Sequence, residues 1–121
     1  MDVYALHHVQ LAMPKGGEAA ARAFYQTALG LTEVEKPPIL AMRGGVWFER
    51  ENLRVHLGVE AEFRAAKKAH PAFAVDGLAE LFAHLTEMGI EVKQDDNLPG
   101  FLRGYVEDPF DNRIELLEPE E

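Results

Sequence analysis

An internal repeat with a period near 60 residues is the feature that most constrains the fold. Leu29-Gly30-Leu31 ends one predicted helix, and Met88-Gly89-Ile90 ends a second one 59 positions later. In each half an apolar stripe at helical spacing precedes the helix-ending glycine, and short alternating segments typical of strands flank the helix. The chain is therefore predicted to contain a β-α-β-β-β unit used twice.

The repeat sets the expected organisation of residues 1–121, which we predict to be a single domain of the α+β class. Module 1 covers about residues 5–59, a polar and basic linker covers 60–69, and module 2 covers about 70–118. Strands are expected near 5–13, 31–35, 39–43, 46–50 and 54–59 in module 1, and near 70–75, 90–94, 101–107 and 112–118 in module 2.

Two residue types are missing, and their absence excludes several classes of chemistry. The chain has no Cys and no Ser. Disulfide scaffolds, thiolate zinc sites, and Ser or Cys nucleophiles are therefore ruled out. Any enzyme activity must come from His, carboxylates, Tyr, Lys or a bound metal.

The charge balance limits the partners. With 21 acidic and 12 basic residues, the formal net charge of -9 argues against nucleic acid or an anionic membrane. No apolar run approaches the roughly 20 residues that a membrane span needs. The N-terminus, Met1-Asp2-Val3-Tyr4, lacks the features of a secretory signal, so a cytoplasmic location is expected.

Four metal-ligand residue types occupy equivalent places in the two predicted modules. They lie on the first and last strands of each module: His8, His56, His70 and Glu115. Because side chains alternate along a strand, His8, His56 and Glu115 each lie opposite an aliphatic face that can pack on a helix, and His70 lies opposite Pro71 and Phe73. Three imidazoles and a carboxylate suit a divalent metal such as Zn, Ni, Fe, Mn or Co. A surface or satisfied core role for each histidine remains the alternative.

At these residues the chain resembles the vicinal oxygen chelate superfamily, which includes glyoxalases, bleomycin resistance proteins and extradiol dioxygenases. The matching segments follow the family order over nearly the whole chain: His8-Val9-Gln10-Leu11-Ala12, Phe24-Tyr25, Leu29-Gly30-Leu31, Val55-His56-Leu57, His70-Pro71-Ala72-Phe73-Ala74-Val75, Asp108-Pro109-Phe110 and Asn112-Arg113-Ile114-Glu115-Leu116.

The resemblance implies modules whose sheets curl into an open β-barrel-like cleft around a metal. It also implies a homodimer, often with each barrel built from modules of two chains. The ligand positions of the family fall on His8, His56, His70 and Glu115, and the shared chemistry is chelation of a small-molecule substrate through two adjacent oxygens. A metal-dependent lyase, isomerase or dioxygenase is the primary hypothesis.

Individual members of the superfamily differ at the site. Glyoxalase I members usually carry a carboxylate where this chain has His56. Extradiol dioxygenases use two His and one carboxylate, with an additional acid–base His that His56 would supply. Fosfomycin-resistance thiol transferases surround the phosphonate with hydroxyl groups, which suits a chain without Ser poorly.

Further candidates would line the cleft. His56, Glu115 and Tyr105 are predicted as catalytic, with Tyr105 donating to an oxyanion, and substrate contacts are predicted for Trp47, Glu49, Phe101 and Arg103. Arg103 would bind a carboxylate or phosphate. Trp47 and Phe101 are alternatively core or dimer-contact aromatics. The alternative function is a non-catalytic binding protein of the bleomycin-resistance type, to which the charge of -9 would attract a cationic ligand.

Overall fold

A computed structural model describes all 121 residues. The chain divides into two compact units, Met1–Arg64 and Ala65–Glu121, with the boundary inside the segment 60–69. Each unit is built on one four-stranded sheet. None of the helices combines the length and the apolar character that crossing a membrane requires.

The first unit contains four strands in the spatial order β1-β4-β3-β2. Strand β1 (Val9–Met13) pairs parallel with β4 (Leu53–Val59), whereas β3 (Val46–Arg50) pairs antiparallel with β4 and with β2 (Thr32–Val34). Helix α1 (Glu18–Ala21) continues directly into a π-helical segment, Arg22–Ala28. A short helix α2 (Pro38–Ala41) lies between β2 and β3.

The second unit repeats this topology, in the order β5-β8-β7-β6. Its parallel pair consists of β5 (Ala72–Ala74) and β8 (Arg113–Pro119). Strand β7 (Phe101–Glu107) pairs antiparallel with β8 and with the two-residue β6 (Lys93–Gln94). Helix α3 (Leu78–Glu87) connects β5 to β6.

In the first unit the core is built where the helix meets one face of the sheet. Tyr25 on the helical segment and Phe48 on β3 are both fully buried, and their rings stack with centroids 5.5 Å apart. Val55 and Leu57 alternate with His56 along β4 and are also fully buried. The apolar face of β4 therefore belongs to the core, and His56 belongs to the opposite face.

In the second unit a glycine allows the helix to pack closely on the sheet. The Phe82 ring of α3 lies so near Gly104 of β7 that a Cβ at position 104 would be 2.7 Å from Phe82 Cζ. Leu78 and Leu85 on the same helix are fully buried. The Glu118 carboxylate accepts hydrogen bonds from the N–H of Leu78 and of the preceding residue, and so connects the helix N-terminus to β8.

The α+β class and the repeated β-α-β-β-β order are confirmed, but some predicted strands are wrong or shorter. Residues 39–43 do not form a strand, because Pro37 and Pro38 begin helix α2 with Pro38 at its first position, where a missing N–H costs nothing. Residues 5–8 precede β1, and β5 is limited to Ala72–Ala74.

Substituting Gly104→Ala should destabilise the protein by about 1–3 kcal/mol, because the added methyl group overlaps the Phe82 ring. Urea unfolding measures the loss. In the double variant Gly104→Ala/Phe82→Leu the shorter side chain relieves the overlap, so its loss should be smaller than the sum of the two single losses. A strictly additive double variant would contradict this packing.

Candidate functional site

The two central strands carry the candidate ligands at equivalent register positions. On β4, His56 lies between Gln10 of β1 and Trp47 of β3. On β8, Glu115 lies between Ala72 of β5 and Tyr105 of β7. His8 directly precedes β1 and lies next to His56, and His70 precedes β5 and lies next to Glu115. Each unit therefore places two candidate ligands next to each other.

In the first unit three aromatic rings form a stack on this face. The His56 ring lies between Trp47, at a centroid distance of 3.9 Å and an angle of 5°, and His8, at 4.2 Å and 19°. His8 is exposed and also contacts His7, with the two Nδ1 atoms 3.0 Å apart. The stack holds the His56 ring on both of its faces.

The stack keeps the imidazole of His56 uncharged at neutral pH. Only 6% of His56 is exposed, and burial, with help from the neighbouring His8, His7, Lys36 and Arg54, lowers its pKa from 6.5 to about 4. Desolvation is the largest cause, because a buried imidazolium loses its hydration. A neutral imidazole retains a nitrogen lone pair, which can bind a metal or accept a proton.

In the second unit His70 and Glu115 form a close pair. The distance between His70 Nε2 and Glu115 Oε1 is 2.9 Å. The other ring nitrogen, Nδ1, lies 3.1 Å from the carbonyl oxygen of Lys67 and 3.0 Å from that of Lys68. Both nitrogens of the imidazole therefore have oxygen neighbours.

These contacts determine which nitrogen of the His70 ring carries the proton, and they show whether the His70–Glu115 pair suits a metal. A carbonyl oxygen only accepts hydrogen bonds, so Nδ1 of His70 must be the atom that carries the N–H. In the neutral ring the Nε2 lone pair then faces a carboxylate oxygen of Glu115, so the two facing atoms are both acceptors. A proton or a divalent metal shared by them would remove this repulsion, so the donor set fits a metal.

Glu115 also belongs to a chain of ion pairs. Arg103 donates to Glu115 Oε2 at 3.4 Å and to Asp95 Oδ1 at 2.7 Å. The Arg103 guanidinium beside Asp95 holds the pKa of that carboxyl below its ordinary value. Two of the three guanidinium nitrogens thus contact carboxylates of this unit, while the buried Nε has no hydrogen-bond partner.

Tyr105 lies beside these groups. Its ring makes a T-shaped contact with the His70 ring at a centroid distance of 5.6 Å, and the guanidinium groups of Arg103 and Arg113 lie 5.3 and 5.7 Å from its centre. Both guanidinium groups lie within the distance at which a cation is attracted to the face of an aromatic ring, so they hold the Tyr105 ring between them and His70.

The other predicted contact residues lie on the same faces of their own sheets. Glu49 is half-buried and pairs in register with Arg54. Phe101 is half-buried at the beginning of β7. Sequence reasoning missed Asp95 and Arg113. Arg113 begins β8, the strand that carries Glu115, whereas Asp95 follows β6, which carries no candidate.

The four predicted ligands therefore form two pairs, one in each unit. No group of three or more His, Asp or Glu residues in the chain is arranged to hold a metal ion. Each pair supplies only part of the ligand set that a catalytic metal centre requires.

Comparisons with known proteins identify the family to which this geometry belongs. The family model described as Glyoxalase/Bleomycin resistance protein/Dioxygenase superfamily matches residues 5–116. A glyoxalase family protein from Bacillus anthracis is 46% identical, with a TM-score of 0.96 and coverage of 99% of this chain and 98% of that chain. A comparison with curated proteins finds no match.

More distant solved structures share the fold. The lactoylglutathione lyase from Agrobacterium tumefaciens is 24% identical, with a TM-score of 0.74, and the match covers 98% of this chain and 96% of that one. The genomically encoded fosfomycin resistance protein from Listeria monocytogenes is 17% identical, with a TM-score of 0.77 and the same two coverages.

The depressed pKa of His56 predicts how the stability of the metal-free protein depends on pH. Unfolded His56 takes up a proton below pH 6.5, whereas the folded protein takes it up only near pH 4. The free energy of unfolding should therefore fall as the pH drops through this range, by roughly 3 kcal/mol from His56 alone, at about 1.4 kcal/mol per pH unit.

Chemical denaturation at a series of pH values measures this contribution. The variant His56→Phe keeps a ring in the stack but cannot titrate, so its pH dependence between 6.5 and 4 should be shallower than that of the wild type. The exposed His84 provides the control: His84→Gln should follow the wild-type curve. Equal slopes for the wild type and His56→Phe would contradict the assignment.

Proposed function

Because the chain belongs to the Glyoxalase/Bleomycin resistance protein/Dioxygenase superfamily, we propose that it is a metal-dependent enzyme that chelates a small-molecule substrate through two adjacent oxygens. The reaction classes are those of a lyase, an isomerase or a dioxygenase. The resident cation is a divalent metal of the Zn, Ni, Fe, Mn or Co group, since imidazole and carboxylate are suitable ligands for all of them.

One observation carries the proposal: the pair formed by His70 Nε2 and Glu115 Oε1, at 2.9 Å. The proton on Nδ1 directs the Nε2 lone pair toward the carboxylate, as in a histidine prepared for a metal. Arg103 contacts the second carboxylate oxygen and restrains the side chain of Glu115. Both groups are held in place by this chain alone.

We propose that the ligand set is completed by the pair in the first unit, His8 and His56. A His8–His56 pair and a His70–Glu115 pair together supply four ligands and leave coordination positions for a chelating substrate. The protein is proposed to act as a homodimer.

Bound at this site, the metal would act as a Lewis acid that stabilises negative charge on the substrate oxygens. His56 is neutral at pH 7 and so has a lone pair for metal binding or for accepting a proton. Tyr105 can donate its hydroxyl hydrogen to a developing oxyanion. Arg103 places positive charge beside Glu115 and would orient an anionic substrate group.

The alternative function, a metal-free binding protein, is supported by a different observation. The flat stack of Trp47, His56 and His8 offers an aromatic surface, and the net charge of -9 favours a cationic ligand. In this case Trp47 and Glu49 would contact the ligand from β3. Metal binding separates the two functions.

Metal uptake by chelator-treated protein is the first test. The wild type should bind zinc stoichiometrically in calorimetric titration, whereas His70→Ala and Glu115→Ala should each abolish binding, because either change removes one ligand of the close pair. The exposed His84→Ala is the matched control and should bind like the wild type. Failure of the wild type to bind any of the five metals would favour the binding-only function.

Mixing two defective variants tests whether the site forms between copies. The variant His8→Ala/His56→Ala damages only the first unit, and His70→Ala/Glu115→Ala damages only the second. If sites combine units from two copies, each mixed dimer contains one intact site, and mixing after mild unfolding and refolding should restore zinc binding. If every site forms within one chain, the mixture should bind no more zinc than either variant alone.

A further inference from the structure

We propose that Asn112 is a positioning residue that sets the orientation and the protonated nitrogen of His70. Asn112 acts through the backbone of residues 66–68. The expected effect of Asn112 on metal affinity rests on the metal-binding function proposed above. The contacts that carry this inference all lie within the second unit.

Asn112 holds the segment that precedes His70. Its side chain is fully buried, and Oδ1 accepts a hydrogen bond from the N–H of Ala66 at 2.8 Å. The N–H of the neighbouring Arg113 donates to the carbonyl oxygen of Ala66 at 2.8 Å. Both backbone groups of Ala66 are therefore bonded to the beginning of β8, and the path of the next residues is constrained.

The two residues after Ala66 present the carbonyl groups that face the imidazole. Lys67 and Lys68 place their oxygens 3.1 and 3.0 Å from Nδ1 of His70. The Lys67 ammonium also donates to the carbonyl oxygen of Asp111 at 2.6 Å, which adds a further tie to the turn before β8. Both carbonyl oxygens can lie within hydrogen-bond distance of His70 Nδ1 only if the backbone of residues 66–68 keeps this conformation.

Asp108 determines which way the Asn112 amide points. Its Oδ2 accepts a hydrogen bond from Asn112 Nδ2 at 2.9 Å, and its Oδ1 accepts from the backbone N–H of Asn112 at 2.9 Å. A flipped amide would turn its oxygen toward the carboxylate and its NH₂ group toward the N–H of Ala66, which would be unfavourable on both sides. The amide oxygen must therefore face Ala66.

Hydrogen bonds connect Asp108 to Asn112 and Asn112 to Ala66. From Ala66 the covalent backbone continues to Lys67 and Lys68, whose carbonyl oxygens face the ring of His70. With the proton held on Nδ1, the Nε2 lone pair remains directed toward the carboxylate of Glu115. Groups that orient a ligating histidine in this way change metal affinity by about 10–100-fold when they are removed. A residue needed only for the turn would change stability without changing the ring.

NMR of ¹⁵N-labelled protein tests the inference in the metal-free and zinc-loaded forms. In the wild type, His70 should show a slowly exchanging proton on Nδ1 in both forms. In Asn112→Ala this proton should exchange rapidly, and zinc should bind about 10–100-fold more weakly. The matched control is Leu85→Ala, which opens a cavity in the core of the same unit and should leave both the Nδ1 proton and the zinc affinity unchanged below its unfolding temperature.

The outcomes separate this inference from the proposed function. If the wild type binds zinc while Nδ1 of His70 carries no proton, the inference is overturned. This measurement uses the wild type alone, so it tests the inference even if Asn112→Ala does not fold. An unchanged Nδ1 proton in folded Asn112→Ala, or an equal loss of it in Leu85→Ala, would also overturn it. If the wild-type protein binds no metal, the proposed function fails. The positioning role would still be supported if the metal-free Asn112→Ala variant lost the Nδ1 proton of His70 and the metal-free Leu85→Ala variant kept it.

Discussion

Parallel pairing between the first and last strands of each unit is the constraint on which the candidate site depends. The pairs β1–β4 and β5–β8 bring a residue near the start of the unit beside the centre of its last strand. Alternation along the strand then places His8 near His56, and His70 near Glu115. The backbone hydrogen bonds that build the sheets therefore also assemble the two pairs.

The two pairs use different physics to hold their side chains. In the first unit, stacking and burial keep His56 neutral. The charged neighbours that lower its pKa are basic groups, not acidic ones. In the second unit, Glu115 is held by an imidazole and by the guanidinium of Arg103, whose charge is shared with Asp95. The first unit contributes the neutral imidazole of His56, and the second contributes an imidazole beside the carboxylate of Glu115.

The repeat and the strand alternation were sufficient to predict the class, the order of elements and the faces of the candidate residues. Alternation is a short-range pattern that can be read directly from residues such as Val55-His56-Leu57, and the repeat is visible as similar segments 59 positions apart. The strand expected at 39–43 was wrong because an apolar run has no intrinsic secondary structure, and the preceding prolines favoured a helix. The contacts of His70 with the carbonyl groups of residues 67 and 68 were not predictable, because backbone atoms have no signature in a sequence.

The division of the chain into two units, each with its own pair, has a consequence for how such a protein can evolve. A substitution at position 56 changes a stack that lies wholly in the first unit, and the His70–Glu115 pair keeps every one of its described contacts. One duplicated half can thus explore new side chains while the other preserves its inherited arrangement. Gene duplication followed by unequal divergence is, in this architecture, a route to new chemistry that never requires the whole site to be rebuilt at once.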